Sequence, residues 1–175
     1  MRALGLGAVL CQGQGMRVML LALATLLVAC EQEAPEVVPP AAPVDHGEAP
    51  DPATDPLGAR IHAIGLERVE RYEPSETIHR GSLRHGQARA HPEVMLGTYC
   101  YVVVGVSDDA LTELSLTVLD PGGAPLLQSP GRGREVTVGL RDALCPVEPG
   151  VYKIRARSYA GEGDYAIRLY RQQAM

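Results

Sequence analysis

Hydrophobic positions follow three regimes along this chain. Residues 18–28 form a nearly unbroken apolar run of 11 residues. Residues 31–57 show no apolar period and are dense in proline and acid. Beyond residue 76 the pattern alternates, which is the signature of strands with one buried face. Leu114, Leu116 and Val118 share one face. Tyr152, Ile154 and Ala156 do the same, with Lys153, Arg155 and Arg157 on the reverse. Tyr165, Ile167 and Leu169 repeat it, and residues 134–140 alternate again. Residues 99–106 are apolar on nearly every position, so they predict a central strand covered on both faces. Residues 77–83 and 88–95 predict two strands joined around His85 and Gly86. Turns are marked by Asp120, Pro121, Gly122 and Gly123, and by Gly161 and Gly163. Several short strands between such turns predict an all-β fold, an antiparallel β-sandwich or jelly-roll-like domain. In residues 58–75, Ile61, Ile64 and Val69 fit one helical face poorly and Gly65 interrupts them. That segment is either a peripheral helix or an irregular lead-in.

The first regime is too short to cross a bilayer as a helix, which takes about 20 residues. It has the length of an export-signal core, with Arg2 or Arg17 ahead of it. Met16 offers a more compact start than Met1, and Cys11 falls within the leader either way. The residues Leu27, Val28, Ala29 and Cys30 that end the run resemble the lipobox of bacterial lipoproteins. The resemblance implies cleavage before Cys30 and acylation of that cysteine with several chains. Two or more chains anchor a protein durably where one does not. Glu31 stands where an aspartate would signal retention in the inner membrane, which leans the expectation towards the outer membrane. The expected location is the cell envelope, facing the periplasm or the cell surface, with the membrane engaged through acylated Cys30.

Residues 31–57 hold seven prolines, seven acids and neither Lys nor Arg. Proline blocks helix and sheet propagation, and a charged, weakly apolar segment cannot offset its ordering entropy. Residues 30–57 are thus expected to be the lipidated cysteine and a disordered tether, reaching roughly 80 Å if extended. His46 within it is expected to be solvated. The charge balance then changes meaning. Of the 21 acids and 16 bases in the chain, residues 58–175 carry 14 of each, so the distal domain is neutral. It shows no basic run and no aromatic–basic interleaving, so nucleic acid is excluded as a partner.

A second resemblance lies in the succession Gly81-Ser82-Leu83-Arg84-His85-Gly86, the Tyr/Val strand, residues 116–123, residues 149–156 and residues 163–169. It is similar to the bacterial pre-peptidase C-terminal domain family and related secreted β-sandwich modules. The resemblance covers about residues 76–171 and implies an accessory module rather than a catalyst. Some members bind calcium through an acidic repeat. Here Leu111, Thr112, Glu113 and Leu114 replace that repeat, with Asp108 and Asp109 upstream.

Beyond Cys30, Cys100 and Cys145 remain, and an even remainder in an exported chain favours a disulfide. Two buried free thiols, or a redox or metal role, are the alternatives; there is no CxxC. His79, His85 and His91 recur every six residues, but glycines break the intervening strand, so they are read as surface histidines rather than metal ligands. Lys153, Arg155, Arg157 and Arg168 could form one basic face on the final hairpin, suited to an envelope protein or an anionic glycan. Charge that merely protects a sheet edge is the plainer reading. No nucleophile elbow, HExxH, P-loop or dinucleotide fingerprint occurs. The expected organisation is a signal peptide (1–29), the lipidated tether (30–57), a lead-in (58–75) and a β-sandwich (76–175). The expected function is a non-catalytic accessory or binding module without a cofactor. A dedicated polysaccharide- or peptidoglycan-binding module is the alternative, ahead of a small hydrolase or inhibitor.

Overall fold

The computed structural model describes residues 44–174. The expected signal segment, Cys30 and the expected tether up to residue 43 lie outside the described residues. The described residues form one helix, α1 (Pro56–Arg68), and eight strands. These are β1 (Glu73–Leu83), β2 (Ala88–Met95), β3 (Tyr99–Ser107), β4 (Glu113–Leu119), β5 (Pro125–Gln128), β6 (Glu135–Val138), β7 (Gly150–Ala160) and β8 (Gly163–Gln173). Sheet 1 runs β1-β8-β3-β6 and sheet 2 runs β2-β7-β4-β5. Every pairing is antiparallel, and the two sheets pack face to face as a β-sandwich.

The expected final hairpin and the join around His85 and Gly86 both cross between the sheets. β1 lies in sheet 1 and β2 in sheet 2, and β7 and β8 are divided likewise. The crossing from β7 to β8 passes Gly161 at φ 78°, where its Cα abuts the carbonyl of Ala110 and leaves no room for a side chain.

The strand periods explain the layers. Tyr101 and Val103 of β3 face the inter-sheet core with Leu114, Leu116, Val118, Ile154, Tyr165 and Ile167. Val102, Val104 and Val106 face outward, and there α1 covers them with Ile61 and Ile64. The continuous apolar run of β3 is thus a strand with two roofs. Helix α1 starts on Asp55, whose carboxylate accepts from the Gly58 amide, with Pro56 in the first turn. Gly65 is no defect in this helix. A Cβ there would sit 2.5 Å from the Tyr170 hydroxyl oxygen, and that hydroxyl donates to the Ile61 carbonyl.

The tether is shorter than the sequence predicts. Residues 52–54 form a turn before the Asp55 cap, and helix begins at Pro56. His46 is not solvated: it is 7% exposed, lies beside Tyr170 and donates from Nε2 to the Glu70 carbonyl. Its ring finds an aromatic wall and an acceptor, which repays ordering a few tether residues.

Cys100, at the start of β3, is disulfide-bonded to Cys145 in the loop between β6 and β7. Reciprocal backbone bonds between Tyr101 and Leu144 hold the same approach.

Candidate binding surface

The two outer faces of the sandwich differ. That of sheet 1 lies under α1. That of sheet 2 carries no covering element among the described residues. Along its internal strand β7, Lys153, Arg155 and Arg157 all point outward and are exposed, while Tyr152, Ile154 and Ala156 are buried between them. The register sets their flanks. On one side stand Pro92, Ala90 and Ala88 of β2; on the other, Leu119, Thr117 and Ser115 of β4. Ser115 and Thr117 are only 2% and 6% exposed although they face outward. Ser115 Oγ shares a 3.1 Å hydrogen bond with Ser129 Oγ and accepts from Gln128 Nε2 at 3.4 Å.

None of the three cations forms an ion pair among the described residues. At the Arg157 end, Tyr159 holds two guanidinium groups: Arg132 lies 3.5 Å from its ring centroid and Arg157 lies 4.8 Å away. Arg132 was not among the residues picked from the sequence. Its segment, residues 130–133, has no strand period to place it.

Arg168 does not belong to this face. It points outward from β8 in sheet 1, where its Nε donates to the Ser75 carbonyl. Its alternation matches that of β7, but its strand joined the opposite sheet.

The histidines gather at a different place, the seam where edge strands β1 and β2 face each other. The Glu93 carboxylate accepts from His79 Nε2 at 2.6 Å, and His91 Nε2 shares a 2.7 Å hydrogen bond with the Tyr165 hydroxyl. The two imidazole centroids are 4.8 Å apart. His91 is buried rather than on the surface as expected, and His85 stays exposed in the β1–β2 turn. Burial, then the nearby His79 and Arg89, push the His91 pKa below its ordinary value. Burial pushes the Tyr165 hydroxyl up, against the pull of Arg89. No three His, Cys, Asp or Glu side chains among the described residues converge as a metal site.

The remaining polar constellation is structural. A shallow cavity of about 340 Å³ is lined by Leu57, Arg80, Gly81, Ser82, Asp164 and Tyr165. Ser82 donates to Asp164, and Arg80 pairs with Asp55. Asp108 Oδ2 accepts from the Asp164 amide, and its Oδ1 accepts from Ala110 and Leu111. Asp109 pairs with Arg134. These carboxylates cap turns and tie β1 to the start of β8. None is paired with a histidine that could act as a proton carrier for Ser82. No helix among the described residues is long and apolar enough to cross a membrane. The chain matches no family model and no curated protein sequence.

Proposed function

We propose that this chain is an envelope lipoprotein, anchored through acylated Cys30, that displays a non-catalytic β-sandwich binding module. The anchor rests on the export-signal pattern and the sequence Leu27-Val28-Ala29-Cys30. The binding role rests on one observation above all. One outer face of the sandwich is roofed by a helix over β3 and β8, and the other presents three exposed cations on an internal strand with no ion pair among the described residues. The polar groups of the shallow cavity are already engaged in holding turns, which favours binding over catalysis. The disulfide suits an oxidising compartment outside the cytoplasm.

Metabolic labelling with an alkyne fatty acid, followed by cell fractionation, tests the anchor. The wild-type chain incorporates label and sediments with membranes, and Cys30→Ser loses both. A wild-type chain that is unlabelled and soluble overturns the reading.

A further inference from the structure

We infer that the outer face of sheet 2 binds a linear acidic glycan, whose oxyanions are read by the row Lys153, Arg155 and Arg157, extended by Arg132. The inference rests on the reading of the domain as a binding module and names the ligand class of that module.

Charge on a strand ordinarily protects a sheet edge. That explanation fails here, because the edges of sheet 2 are β2 and β5, and β7 lies between β2 and β4. The three cations therefore repel one another in the middle of a sheet with no protective return. Alternate residues of a strand stand about 6.8 Å apart, so the row presents one positive charge per such step. Among the outward positions of the four strands, the one carboxylate is Glu113 at the start of β4, opposite Ala160 and beyond the Arg157 end. Nothing described within the row neutralises it.

The shape of the face favours a linear ligand. The exposed Ala88 and Ala90 leave the β2 flank of the row low and open, while Ser115 and Thr117 on the β4 flank are short and already buried. Gln128 of β5, exposed and opposite Thr117, donates from Nε2 to Ser115 Oγ and adds an amide oxygen that can accept from a sugar hydroxyl. Cation–π stacking brings Arg132 and Arg157 together over the Tyr159 ring, so two guanidinium groups, each suited to bidentate binding of a carboxylate or phosphate, converge at one end of the row. The same stacking argues against nucleic acid, since two guanidinium groups already lie on the aromatic ring a base would need. A membrane surface is the weaker match, because the large exposed apolar side chains of these strands, Val94, Val151 and Leu126, register with the Lys153 end of the row and none pairs beside Arg155 or Arg157.

The test uses the purified full chain, titrated with polygalacturonate (carboxylate), a teichoic-type polymer (phosphate) and neutral dextran. Wild-type protein binds one or both acidic polymers, weakens with added salt and ignores dextran; which polymer binds identifies the oxyanion. Lys153→Gln/Arg155→Gln/Arg157→Gln loses affinity roughly ten-fold, as expected for three exposed ion contacts. The charge-matched control Arg71→Gln/Arg84→Gln/Arg141→Gln and the single variant Arg168→Gln change it by less than about two-fold. Single substitutions in the row each give part of the loss, so the proposal does not depend on the triple variant folding. Failure to bind either acidic polymer overturns the inference. Equal loss in the charge-matched control does the same, as does tighter binding to anionic vesicles or an oligonucleotide. A chain that binds the glycan but lacks an acyl anchor would overturn only the anchoring half of the preceding reading.

Discussion

The outward positions of β8 and those of β7 show how differently one sandwich treats its two surfaces. β8 presents Ala166, Arg168 and Tyr170, and α1 packs over the apolar members through Ile61 and Ile64, joined by Val69 at its C-cap. β7 presents Lys153, Arg155 and Arg157, and water covers them. Both strands are internal and both alternate on their inner faces. The fold therefore requires only that one face of each be apolar; what stands on the other records what that surface meets. Sheet 1 meets a helix belonging to its own chain. Along β7, sheet 2 leaves its outward side chains exposed.

If that contrast is right, stability should be concentrated on the sheet 1 side and indifferent to the row on sheet 2. The largest effect is expected at the link between β3 and the loop leading to β7. Cys100→Ser/Cys145→Ser opens a cross-link spanning 45 residues, worth about 4 kcal/mol by loop entropy. Urea unfolding should show the midpoint falling in the double variant, and in wild type under reductant to a similar extent. Next comes the roof itself. Ile61 is fully buried on the inner face of α1, so Ile61→Ala should cost about 3 kcal/mol through lost transfer energy and a residual cavity. Arg155→Ala on the opposite face should cost less than about 0.5 kcal/mol. Equal losses at the two positions would mean that the sheet 2 row is structural, and would remove the basis for assigning it to a ligand.

The same contrast separates what the sequence makes legible from what it hides. The period of two in β4, β7 and β8 is readable because each strand needs one apolar face. The unbroken β3 is readable because it needs two. What the period cannot convey is the sheet a strand joins. Arg168 alternates like Arg157, yet the crossing at Gly161 sends its strand to the other layer. The histidines follow the same logic in reverse. His79 and His91 sit on different strands, and the turn between β1 and β2 brings them together by carrying the chain across the sandwich. Helix α1 was hard to read because Gly65, which serves to admit Tyr170, looks locally like a break. His46 was hidden for a related reason, since its partners at Tyr170 and Glu70 are distant in sequence.

The smallest effect expected is a dependence on pH that belongs to the covered regions alone. His62 lies 7% exposed on α1, and its pKa is lowered by burial, then by Arg168 and His46. His91, in the seam, is lowered by burial, then by His79 and Arg89, with Glu93 and Tyr165 the other titratable groups facing the cluster. Both imidazoles are therefore neutral in the fold at pH values where the unfolded chain already binds protons. The stability they contribute is complete above the ordinary histidine pKa of 6.5. It is lost as pH falls below that value, because the unfolded state takes up the protons first. Thermal melts between pH 7.5 and 5 should show a falling midpoint, with a shallower slope in His91→Gln and shallower still when His62→Gln is added. Lys153→Gln/Arg155→Gln/Arg157→Gln should leave the slope as it is, since no histidine stands on the outward positions of β2, β4, β5 or β7. A slope that changes with the row instead of with the histidines would place a proton-linked group on the open face and break the distinction between a surface the fold uses and one it leaves for a ligand.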